Sequence, residues 1–86
     1  MSNLSELKPK RRSHASIGQD PTLVALGDQI RQKRIDNKLT QEELALVTGL
    51  GRELIMQLEN GKAHISLGRA SRVLAALGLS LQLVEC

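Results

Sequence analysis

Four side chains in the run from Arg52 to Gln57 have the chemistry to read the edge of a base pair. The guanidinium of Arg52 can donate two parallel hydrogen bonds to guanine O6 and N7, and the amide of Gln57 can both donate to and accept from adenine. Glu53 can accept from the cytosine amine, and Leu54 can meet a thymine methyl. Two other groups suit phosphate oxygens. Gln41 stands at a predicted helix start, where free backbone N–H groups attract anions and an amide side chain can donate to the same oxygen; a purely structural role is the alternative. Lys62 follows Asn60-Gly61 and is either a phosphate contact or a solvated lysine.

The remaining chemistry-bearing residues argue against catalysis. His14 and His64 have no cysteine or carboxylate cluster at metal-ligand spacing, and no Gly-rich phosphate loop or nucleophile motif is present. A non-enzymatic chain with no cofactor and no metal is the expectation. Phe, Tyr and Trp are absent, which removes the stacking platforms that hold single-stranded nucleic acid and leaves duplex DNA open. The lone Cys86 excludes an internal disulfide framework and fits a reducing compartment. No signal peptide and no segment of membrane-spanning length is visible, so a cytoplasmic protein without membrane contact is expected.

The 86 residues are enough for one small domain with a marginal core unless the chain oligomerises. Net charge is +3, and Lys8, Lys10, Arg11 and Arg12 concentrate positive charge near the start. Residues 1–20 therefore read as a flexible basic arm, able to touch DNA phosphates, to bind a protein partner, or to do neither.

From Thr22, as the cap, a first helix is expected to about Asn37, with Leu23, Leu26 and Ile30 at spacings of three and four. Thr40 and Glu43 form a capping box that opens a helix over 41–48, stopped by Gly49. A third helix is expected from Arg52 to about Asn60, with Ile55 and Leu58 inward and Gly61 ending it. Ser66 caps a fourth over Leu67 to Leu77, with Leu67, Ala70, Val73, Leu74 and Leu77 as its apolar set and Gly78 as its breaker. Lys38 stands where a Gly often ends the first helix, so Asn37 or Lys38 carries the left-handed turn. Leu46 and Val47 lie on the outer side of the second helix, either as ordinary isolated exposures or as a partner patch.

Two short helices joined by about four residues including Gly outline a helix-turn-helix. The residues within that outline, Leu39-Thr40-Gln41, Leu44-Ala45, Gly49, Ile55 and Leu58-Glu59-Asn60-Gly61-Lys62, resemble the Cro/C1-type helix-turn-helix family over roughly residues 22–78. The resemblance implies an all-α, lambda-repressor-like domain of four main helices whose third helix faces the major groove with Arg52, Glu53, Leu54, Met56 and Gln57. It also implies a structural ion pair between Arg34 and Glu59, joining the first and third helices. Gly51 and Glu53 depart from the usual pattern: a Ser or Thr cap is common at the first, and phosphates repel the second.

After Gly78 the apolar residues Leu79, Leu81 and Leu83 alternate with Ser80 and Gln82, a period close to two. A dimerisation strand over 79–86, its residues 80–84 paired antiparallel across a homodimer, is expected in preference to a short fifth helix. Gly78 breaks the preceding helix, and a new one capped by Ser80 would be too short. This ending resembles the HipB-like antitoxins. That resemblance implies a dimer that binds inverted-repeat operator DNA of its own operon and partners a HipA-like kinase toxin. A repressor without a toxin and a protein-interaction module that has lost DNA binding are the alternatives.

Overall fold

A computed structural model describes residues 17–85, in which the chain forms α1 (Pro21–Asp36), α2 (Gln41–Thr48), α3 (Arg52–Glu59) and α4 (Leu67–Ala76). Lys8, Lys10, Arg11, Arg12, His14 and Cys86 lie outside the described residues.

Local chemistry sets each helix start. The carboxylate of Asp20 accepts from Thr22 N–H at 2.9 Å, and Pro21 occupies the first helical turn, where a missing N–H costs nothing. Asp20, and not Thr22, is the cap of α1. The capping box of α2 is complete: Thr40 Oγ1 accepts from Glu43 N–H at 3.0 Å, and Glu43 Oε1 accepts from Thr40 N–H at 2.8 Å. Ser66 caps α4 by accepting from Arg69 N–H. Gly51 opens α3 with no side-chain cap.

All four helices close in the same way. After each, a residue with positive φ (Lys38, Gly49, Gly61 and Gly78) lets the next backbone N–H reach back to a carbonyl five residues earlier. The four bonds are Leu39 to Arg34, Leu50 to Ala45, Lys62 to Gln57 and Leu79 to Leu74. This is the Schellman closure, which normally brings the residue after the turn into apolar contact with the helix. Leu39, Leu50 and Leu79 are packed against the core in this manner. Lys38 carries its left-handed turn at φ 60, a conformation costly for a residue with a Cβ.

The core consists of Ile30, Leu44, Ala45, Ile55, Leu58, Ala70, Val73, Leu74 and Leu77. α1 packs on α3, and α2 packs on both α3 and α4. Thr48 is buried without a polar defect, because its hydroxyl donates to Leu44 O at 2.8 Å. Leu67 departs from the expected apolar set of α4: it sits in the first turn, ahead of the packed residues, and is exposed. Among the described residues, no helix is long and apolar enough to cross a membrane.

The expected C-terminal strand does not form. Residues 79–85 have no regular secondary structure, and no β-strand occurs among the described residues. The physical reason begins with Leu79. Its N–H donates to Leu74 O at 2.8 Å and its side chain packs against this chain's own core, so it closes α4 instead of opening a new element. Without Leu79 the alternation rests on Leu81 and Leu83 alone, and the four-helix fold offers no strand edge beside them.

Candidate nucleic-acid interface

α2, the turn at Gly49–Gly51 and α3 form the helix pair that places the candidate contacts. Ile55 and Leu58 turn into the core, and Glu59 is buried with them. The opposite face of α3 carries Arg52, Glu53 and Met56 in solvent, with Leu54 and Gln57 half-buried at its edges. Gln57 Nε2 donates to Glu53 Oε2 at 3.4 Å, so two of the side chains suited to base edges face each other one turn apart. The bond is long and exposed. An incoming base edge can replace it at small cost.

Three hydrogen bonds to Glu59 fix the far end of α3. Arg34 Nε donates to Glu59 Oε2 at 2.6 Å and Nη2 donates to Oε1 at 3.2 Å, a two-pronged pair between buried side chains of α1 and α3. Arg34 Nη1 donates to Leu39 O at 2.8 Å, using a third prong to hold the turn after α1. Gln41 Nε2 donates to Glu59 Oε1 at 3.1 Å, which brings α2 into the same cluster. One turn before Ile30, Gly27 lets the α1 backbone lie against α3: a Cβ there would stand 2.6 Å from Leu58 O and 2.8 Å from Glu59 C.

The Gln41 contact was not anticipated from sequence, because it depends on a partner eighteen residues away. It leaves the second hydrogen of the same nitrogen for another acceptor. Gln41 lines an open depression of about 380 Å³ with Arg34, Leu39, Thr40, Glu42 and Arg52. The capping box uses the N–H groups of Thr40 and Glu43, so the other N–H groups of the first turn are those of Gln41 and Glu42, on the rim of that depression. Arg52 adds a guanidinium at the same place. An anion-attracting helix start thus adjoins the first residue of α3.

Lys62 lies beyond the Glu59 end of α3, half-buried in the loop to α4. Leu46 and Val47 stand on the outside of α2, 78% and 65% exposed. Leu81, Leu83 and Val84 are exposed on the tail, where Gln82 and Val84 border a groove along Pro21, Ala25 and Gln29 of α1. Among the described residues, no group of three or more His, Cys, Asp or Glu is placed to hold a metal ion.

Comparison with known proteins matches residues 30–84 to the family described as Helix-turn-helix. The chain is 37% identical over 59 residues to y4mF of Sinorhizobium fredii, an uncharacterised HTH-type transcriptional regulator; the match covers 69% of this chain and 78% of the relative. It is 47% identical over 49 residues to an uncharacterised HTH-type transcriptional regulator of Methanothermobacter thermautotrophicus, covering 57% of this chain and 71% of the relative.

Proposed function

This chain belongs to the helix-turn-helix family, and from that premise we propose that it is a transcriptional repressor that binds specific duplex DNA as a homodimer. It acts by binding and not by catalysis. The observation that carries the reading is the way α3 is held: Glu59 is clamped at one end by Arg34 and Gln41, while Arg52, Glu53 and Gln57 remain on the open face. A clamped helix presents those side chains to a major groove with little loss of conformational freedom on binding. Gln41 with the α2 start, and Lys62, grip phosphates and set the register. The arm residues Lys8, Lys10, Arg11 and Arg12 add sequence-independent affinity.

The operator is an inverted repeat, read by the two α3 helices of a symmetric dimer. Leu81 and Leu83 supply apolar surface for the dimer contact. The resemblance of the Leu74–Leu83 ending to HipB-like antitoxins supports a further assignment, as the antitoxin of a HipA-like kinase toxin and autoregulator of their shared operon. DNase footprinting of the region upstream of the gene tests the first part, with two protected half-sites about one helical turn apart as the expected pattern. Co-expression with any adjacent kinase gene tests the second: a stable complex supports the antitoxin role, and separate elution of two folded proteins removes it.

The alternative of an interaction module has its own support in the exposed Leu46 and Val47 and in the acidic Glu53 on the reading face. Folded protein that fails to shift any duplex at low salt would favour that alternative.

A further inference from the structure

Residues 17–20, which lead into α1, lie across the C-terminal end of α3. Gly18 N–H donates to Asn60 O at 2.8 Å. Gly18 also sits directly on the next peptide: a Cβ there would overlap the Gly61 carbonyl oxygen and stand 2.6 Å from Gly61 C and 3.2 Å from Lys62 N. These are backbone atoms and cannot swing aside. Gly61 has no room to retreat, since a Cβ on its own left-handed backbone would stand 2.6 Å from Val24 Cα. The Gly61–Lys62 peptide is thus held between the lead-in on one side and α1 on the other, with Lys62 N–H bonded to Gln57 O at 3.0 Å. Ile17, Gly18, Gln19 and Asp20 share one depression with Lys62 and His64.

We propose that Gly18 is a positioning residue for DNA binding: by closing residues 17–20 over the Asn60–Gly61 peptide, it fixes the backbone from which Lys62 reaches a phosphate. The inference rests on the reading of Lys62 as a phosphate contact. α3 itself is held independently at Glu59 by Gly27, Arg34 and Gln41, so a disturbance at Gly18 weakens the phosphate grip and leaves base discrimination in place.

The test measures affinity of the full chain for operator and scrambled duplexes over a range of salt, for Gly18→Ala, Lys62→Ala, the double variant and a control. Gly68→Ala serves as the control, because a Cβ at that exposed position meets nothing within 4 Å. Each of the first two variants is expected to lower the salt slope by about one and to weaken both duplexes by the same factor. The double variant should show one loss of about one and not two, while the control keeps the parent slope. A changed slope for Lys62→Ala with fully additive losses in the double variant overturns the positioning role alone. An unchanged slope for Lys62→Ala overturns the phosphate reading, and the inference with it.

Should Gly18→Ala fail to fold, amide exchange in the unaltered chain decides the question. Coupling between sites is reciprocal, so bound DNA must slow exchange at Gly18 N–H if that contact positions Lys62. Protection at Lys62 without added protection at Gly18 overturns the proposal.

Discussion

Arg34 Nε lies 2.6 Å from Glu59 Oε2, and the two side chains join helices α1 and α3 from positions twenty-five residues apart. The pair is buried and fully engaged: Arg34 also serves Leu39 O, and Glu59 also receives Gln41. Removing one member strands the other charge in the interior, which typically costs about 3–5 kcal/mol. Glu59→Ala and Arg34→Ala are each expected to lower unfolding stability by about that amount, a large share of the total for so small a domain. A denaturant titration measures it. A loss under about 1 kcal/mol would mean that water reaches the pair and that it does not hold α3.

The turns after α1 and α2 have the same backbone closure but different residues, and the two substitutions should therefore move stability in opposite directions. Lys38 holds φ 60 against its own Cβ, so Lys38→Gly should stabilise by up to about 1 kcal/mol after the entropy cost of glycine is subtracted. Gly49 holds φ 73 with nothing within 4 Å of a built Cβ, so Gly49→Ala should cost about 1–2 kcal/mol from backbone strain alone. Thermal midpoints of the two variants check both signs.

Arg52 and Gln57 carry the proposed base reading. Arg52→Ala or Gln57→Ala should weaken operator binding by about 1–3 kcal/mol each and leave binding to scrambled duplex nearly unchanged. Competition titrations with both duplexes measure this. Equal losses on the two would place those side chains on phosphates and remove them from base recognition.

What was legible in the sequence is what neighbouring residues decide. Thr40 with Glu43, Gly49, Ser66 and Gly78 mark helix ends through bonds that span at most five residues, and α2 and α4 begin where Thr40 and Ser66 place them. The start of α1 lies two residues before the cap that Thr22 suggests, because Thr22 and Asp20 are both able caps; Pro21, favoured just inside a helix, is the signal for Asp20. Within the site, a known family pattern was needed to bring Arg34 and Glu59 together, and nothing local marked Gln41 as their third member. The tail failed for a different reason. Leu79 follows Gly78 as Leu50 follows Gly49, and both pack inward as the closing residue of a helix. Counted as part of an alternating stripe, Leu79 suggests a strand that is absent among the described residues.

With Leu79 used by the core, the proposed dimer contact depends on Leu81 and Leu83. Leu81→Asp with Leu83→Asp should leave the helical content intact, since both residues are exposed, and should shift the chain from dimer to monomer in sedimentation. A variant that remains dimeric would move the contact elsewhere, with Leu46 and Val47 as the next exposed apolar pair.

The central claim is that this chain recognises duplex DNA by sequence, and its most direct test is the ratio of affinities for the DNA upstream of its own gene and for a scrambled duplex of equal length. Fluorescence anisotropy at near-physiological salt, with folding checked in parallel, supplies both values. A specific helix-turn-helix dimer should prefer the upstream DNA by roughly 10³-fold or more, with two chains bound per site. Equal affinities for the two duplexes across the whole salt range, from folded protein, would contradict it.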